Sequence, residues 1–167
     1  PEDIDAAVSL GADAVGLVFY QPSPRSVTLE RAHALARRVP AFVSLTGLFV
    51  NPEPEEVERV LQTVPLDLLQ FHGDETDDYC LQFSKPFWKA VKVGPATDVA
   101  QQISAYPSAT AILLDTAVAG IEGGSGKRFD WGLVPEEGSA SRQQPLWLAG
   151  GLTSSNAAGA IEQVRPT

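Results

Sequence analysis

Short apolar runs recur along this chain at 14–19, 42–50, 66–71, 87–93, 111–114 and 146–149. Each is apolar on both faces rather than alternating, the pattern of a parallel strand covered by helices. The stretches between them carry helical spacing with start and stop signals. Pro1 suits a first helical turn, Glu2 and Asp3 suit its positive dipole end, Ala7, Val8 and Leu10 form an apolar side, and Gly11 is a stop. Thr28 can cap a helix over 29–38, whose last turn holds Arg37 and Arg38 ahead of Pro40. Further helices are expected over 53–61, 75–83 and, with the faintest pattern, 99–103. Ser154 or Ser155 can cap a last helix running to Val164, before Pro166. A Gly-rich stretch at 117–128 and a polar one at 136–144 read as loops around a short segment with Phe129 and Trp131.

The order is a helix followed by six strand-helix steps, with no internal repeat beyond that rhythm and no low-complexity linker. Such a series fits an open doubly wound sheet or a (β/α)8 barrel. The chain has 167 residues, starts on Pro1 and contains no Met. A complete barrel needs at least about 200 residues. A barrel without its first strand and its last strand-helix unit would begin and end on a helix, as this chain does. The expected fold is therefore an incomplete (β/α)8 TIM barrel, α/β in class, with strands 2–7 visible in a single domain over 1–167, truncated at both ends.

Composition narrows the chemistry. With 44% apolar residues there is material for a core, and with 21 acidic against 12 basic residues the net charge is −9. That balance argues against a nucleic-acid or anionic-membrane footprint, which clustered Lys and Arg would drive. A small anionic substrate needs only one local site and stays open. The one Cys cannot form an internal disulfide or a thiolate cluster, consistent with a reducing cytoplasm. No apolar run approaches the roughly 18 residues of a membrane span, and no signal peptide is visible.

In a barrel, chemistry sits at the C-terminal strand ends. After the first run comes Tyr20-Gln21-Pro22-Ser23-Pro24-Arg25, a proline-stiffened loop whose guanidinium suits a carboxylate or phosphate; a solvent-exposed Arg in an ordinary turn is the plainer alternative. Leu69-Gln70-Phe71-His72-Gly73-Asp74-Glu75 ends the third run. His72 can transfer protons near neutrality or brace the turn, and Asp74 looks like the cap of the next helix. Asp115 follows the run ending at Leu114; a carboxyl there is partly desolvated, which raises its pKa and suits proton donation, although a turn-forming role is open. Gly123-Gly124-Ser125-Gly126-Lys127 lacks the spacing of a nucleotide-binding phosphate loop, and Lys127 can approach a substrate or stay in solvent. Gly150 and Gly151 end the last run, where backbone can approach a phosphate. Cys80 reads as a packed apolar residue within a helix.

These segments, with Gly11-Ala12-Asp13-Ala14-Val15-Gly16-Leu17-Val18-Phe19, Ser23-Pro24-Arg25, Gly47-Leu48-Phe49-Val50-Asn51, the Gln70 to Glu75 stretch, Leu113-Leu114-Asp115, Gly124-Ser125-Gly126-Lys127 and Leu148-Ala149-Gly150-Gly151-Leu152, resemble the phosphoribosylanthranilate isomerase family over nearly the whole chain. The resemblance implies an Amadori rearrangement of N-(5'-phosphoribosyl)anthranilate to the 1-deoxyribulose 5-phosphate in tryptophan biosynthesis, with no metal or organic cofactor. It implies Asp115 as general acid on the furanose oxygen, Arg25 on the anthranilate carboxylate, Gly150 and Gly151 on the phosphate, and His72 and Lys127 in substrate binding. The family's strand-one Cys, its general base, is expected upstream of Pro1, so the 167 residues alone are expected to be inactive while the full-length protein is active. Partners implied are a phosphorylated small molecule, with the protein a cytoplasmic monomer or homodimer. Another phosphate-binding barrel would share the glycine pair but show a different carboxylate and lysine set, and an open-sheet binding module would make Asp115 and Arg25 incidental.

Overall fold

A computed structural model describes residues 2–117 and 128–167. In chain order these form α1 (Glu2–Ser9), β1 (Ala14–Val18), α2 (Leu29–Ala36), β2 (Ser44–Phe49), α3 (Pro54–Thr63), β3 (Leu68–Phe71), α4 (Asp77–Leu81), β4 (Phe87–Val93), α5 (Val99–Ser104), β5 (Ala111–Thr116), a 3-10 turn at Trp131–Leu133, β6 (Leu146–Leu148) and α6 (Ala157–Val164). The architecture is α/β, with six strands and interleaved helices. Two compact units divide it, one running to Glu75 and including Cys80–Phe87, the other holding Thr76–Tyr79 and Trp88–Thr167.

In the first unit β1 pairs in parallel with β2 from Ala14↔Ser44 to Val18↔Leu48, and β2 with β3 from Thr46↔Leu68 to Phe49↔Phe71. Paired residues of parallel strands point to the same side, and successive residues to opposite sides. Leu45, Phe49, Leu69 and Phe71 make one buried face, accompanied by Val57 and Val60 of α3. Phe19 stacks on Phe49 at 5.3 Å between centroids, and Phe71 lies 5.8 Å from Phe83 and 6.1 Å from Phe87. Phe49, Phe71, Phe83 and Phe87 are buried, and full burial of such a ring contributes roughly 1.5–3 kcal/mol. Gly47 makes the cluster possible, because a Cβ there would run into Leu66 and stand 3.0 Å from the Phe49 ring. The opposite face carries Leu48 and Gln70, a register pair, and is less buried. At the surface, Asp5 accepts from Arg38 Nε at 3.2 Å and from its Nη2, and that hydrogen bond holds the Asp5 carboxyl below its ordinary range.

In the second unit β4 and β5 pair from Trp88↔Ala111 to Val93↔Thr116, and β5 and β6 from Ile112↔Leu146 to Leu114↔Leu148. Lys89 is 1% exposed, and its Nζ lies 5.3 Å from the centre of the Tyr106 ring just beyond α5, a cation–π contact. Val91, Val93, Ile112 and Leu114 complete the core of that face. Arg142 donates to the carbonyls of Val164 (2.7 Å) and Arg165, closing the orphan end of α6.

Several boundaries differ from expectation. Phe42 is fully exposed and Val43 N bonds Pro40 O at 3.0 Å in a turn, so β2 starts at Ser44. Strand β5 runs on through Thr116, which puts Asp115 inside the strand rather than after it. Thr28 caps α2 as expected, accepting from Arg31 N at 3.2 Å. Asp74 caps nothing: its N–H donates to Asn51 Oδ1, and Thr76 takes the cap position by accepting from Tyr79 N at 3.2 Å. Neither Ser154 nor Ser155 caps α6, which starts from Asn156 with no side-chain cap bond. Burial in β3 alternates residue by residue, against the expectation of two equally apolar faces. Among the described residues no helix is long and apolar enough to cross a membrane.

Candidate active site

In the first unit Arg25 sits in the turn that follows β1. Ser23 N bonds Tyr20 O at 2.9 Å, Ser26 N bonds Ser23 O at 3.0 Å, and the Ser23 hydroxyl accepts from Arg25 N at 3.2 Å. Val27 N then returns to Val18 O at 2.9 Å. The loop is thereby tied back to the C-terminal end of β1, with Arg25 exposed.

His72 stands directly past β3, on the face that carries Gln70. It is 6% exposed, its N–H bonds Phe49 O at 2.9 Å, and its ring Nδ1 lies 3.3 Å from Gln70 Nε2. The turn that holds it is built by two residues the sequence did not single out. Glu75, 6% exposed, accepts from Asn51 N at 2.7 Å and from Gly73 N at 2.9 Å. Asn51, at a positive φ of 47°, accepts from Asp74 N at 2.7 Å. These bonds join the loop after β2 to the loop after β3. Gly73 is required between them, because a Cβ there would collide with the Asn51 side chain and lie 2.8 Å from Asn51 N. A Glu just past an apolar run, directly after Gly73 and Asp74, was the available signal.

In the second unit Asp115 and Gly150 meet. Asp115 is 5% exposed, and its Oδ1 accepts from Thr116 N at 2.8 Å. Gly150 has φ +82°, and a Cβ there would collide with Thr116 Oγ1 and stand 2.7 Å from Asp115 Oδ1. The backbone of the last strand's end is thus pressed against the carboxyl. Gly151 follows at φ +65°. Its carbonyl accepts from Asn156 Nδ2 at 2.9 Å, while Asn156 Oδ1 accepts from Thr153 N at 2.8 Å. Asn156 therefore shapes the glycine loop, another role the sequence did not announce. Lys127 lies outside the described residues. Cys80 is fully buried in α4. Among the described residues, no group of three or more His, Cys, Asp or Glu is placed to hold a metal ion.

Parallel strands with interleaved helices, and polar residues gathered at the C-terminal strand ends, define an α/β enzyme of the TIM-barrel type. The family model described as N-(5'phosphoribosyl)anthranilate (PRA) isomerase matches residues 1–167. An N-(5'-phosphoribosyl)anthranilate isomerase of Stutzerimonas stutzeri is 50% identical over 165 residues, covering 99% of this chain and 78% of that protein. The crystal structure of phosphoribosyl anthranilate isomerase from Thermotoga maritima superposes with a TM-score of 0.86 at 39% identity, over 99% of this chain and 79% of that one. A further phosphoribosyl anthranilate isomerase structure, in complex with reduced 1-(o-carboxyphenylamino)-1-deoxyribulose 5-phosphate, superposes at 0.82 with 36% identity, over 99% and 78%. The chain belongs to the N-(5'-phosphoribosyl)anthranilate isomerase family and is an isomerase of tryptophan biosynthesis.

Proposed function

We propose that the protein rearranges N-(5'-phosphoribosyl)anthranilate by general acid–base catalysis, with Asp115 as the acid. The observation that carries this reading is the placement of Asp115: a carboxyl 5% exposed at a strand's C-terminal end, oriented by Thr116 N and pressed by Gly150. Asp115 gives its proton to the furanose ring oxygen as the bond from that oxygen to C1 breaks, and the anthranilate nitrogen lone pair closes a C1=N bond. A base removes the C2 proton, the electrons neutralise the iminium as an enolamine, and tautomerisation delivers the ketone. The base is a Cys, as the resemblance to the family implies. Arg25 pairs with the anthranilate carboxylate, for which its planar guanidinium offers two donors. Backbone N–H groups at Gly150 and Gly151 hold the phosphate, a use that close backbone approach by glycine permits. His72 and Lys127 complete substrate binding.

The same reading makes the six strands the second to seventh of a (β/α)8 barrel in one domain, and the protein a cytoplasmic monomer or homodimer with no nucleic-acid partner. The test is turnover of phosphoribosylanthranilate by the full-length protein and its Asp115→Asn variant. Loss of kcat by roughly a hundredfold or more is expected when a positioned acid is removed. An unaffected rate removes Asp115 from the mechanism.

A further inference from the structure

The geometry points to Lys92 as the residue that makes Asp115 an effective acid. This rests on the assignment of Asp115 made above and adds a group to it. Lys92 and Asp115 are register partners on the adjacent parallel strands β4 and β5. Partners in such strands project to the same side with their backbones about 4.8 Å apart. Two contacts identify that side. Trp88 and Trp147, which share the alternation of Lys92 and Asp115, meet ring to ring. Lys89, on the opposite alternation, reaches the other way, to the Tyr106 ring beyond α5. On the Asp115 face β4 thus presents Trp88, Ala90 and Lys92, and β6 presents Trp147. Lys92 is the one titratable side chain these two strands turn toward Asp115. It is half-buried, at the same level of the strands as the carboxyl.

The chemistry follows from charge. When Asp115 donates its proton it becomes a carboxylate in a largely dry setting, and burial alone disfavours that product. An ammonium one strand away offsets the cost. The stabilisation exists in the transition state, where negative charge develops on the carboxyl, and is absent while the acid is neutral. Lys92 acts through Asp115 and is in that sense a positioning residue.

A pH profile separates this role from mere support. In the full-length protein Lys92→Met is expected to lower kcat about tenfold on the plateau where Asp115 is protonated. It is also expected to move upward the limb on which activity falls as the acid loses its proton, because removal of a nearby cation raises a carboxyl pKa. The variant and parent profiles therefore draw together toward high pH, whereas structural damage would lower the whole curve evenly. Lys92→Arg should restore most of the plateau, KM should stay within about twofold, and in the Asp115→Asn background Lys92→Met should change nothing further. A silent Lys92→Met beside a dead Asp115→Asn overturns the inference alone. A raised KM with kcat intact, or an evenly lowered profile with a depressed melting temperature, also overturns it. Full activity of Asp115→Asn removes the acid itself, and the role of Lys92 with it.

Discussion

At position 150 a glycine does two things a side chain cannot. Its φ of +82° lies in the left-handed region that favours glycine, and its missing Cβ leaves room for the Asp115 carboxyl and the Thr116 hydroxyl. Gly150→Ala therefore forces the carboxyl out of place, and a displacement of about 1 Å near reacting groups costs roughly a hundredfold in rate. Steady-state kinetics of the full-length variant should show the loss mainly in kcat. A loss confined to KM would instead assign Gly150 to phosphate binding alone. Asp115 and Gly150 were each visible in the sequence as polar and glycine residues ending apolar runs. Their contact was not, because it arises from the register of β5 against β6, and nothing local encodes which residues two strands bring level.

Between elements, the loops after β2 and β3 are fastened by one buried carboxylate. Glu75 accepts charge-assisted bonds from Asn51 N and Gly73 N, while Asn51 holds Asp74 N. Glu75→Gln places an amide where only acceptors fit and is expected to cost about 2 kcal/mol. Urea unfolding of variant and parent measures that cost; an unchanged midpoint would mean the bonds contribute nothing net. The strands and helices themselves were legible because apolar runs and capping residues are local signals, as at Thr28. The misread positions share a physical cause. Asp74 was expected to cap its own helix, but that helix begins only at Asp77, which places Thr76 at the cap, accepting from Tyr79 N. Ser154 and Ser155 were good cap residues on paper, yet Asn156 uses both ends of its amide to fold the loop before α6. Phe42 extended an apolar run without extending the strand, since hydrophobicity does not by itself enforce pairing.

At the largest scale, a net charge of −9 over these 167 residues meets a proposed substrate that carries a phosphate and a carboxylate. Two electrostatic effects of opposite sign then act at different ranges. The overall negative charge repels the substrate over long distances, and Arg25 attracts its carboxylate at close quarters. Salt tells them apart, because the screening length is about 30 Å at 0.01 M and 10 Å at 0.1 M ionic strength but only about 3 Å at 1 M. From the lowest to the middle of that range the distant repulsion is removed while the local contact survives, so kcat/KM should rise. Toward 1 M the local pairing weakens as well, and kcat/KM should fall again through KM. Arg25→Gln should flatten the falling part and leave the rising part in place, since one lost cation makes the overall charge more negative. A steady decline from the lowest salt onward would show that local cations dominate at every range, and a steady rise would show that the site is not locally positive at all. The biphasic curve is the signature of an acidic protein that recruits an anion with a few well-placed positive groups.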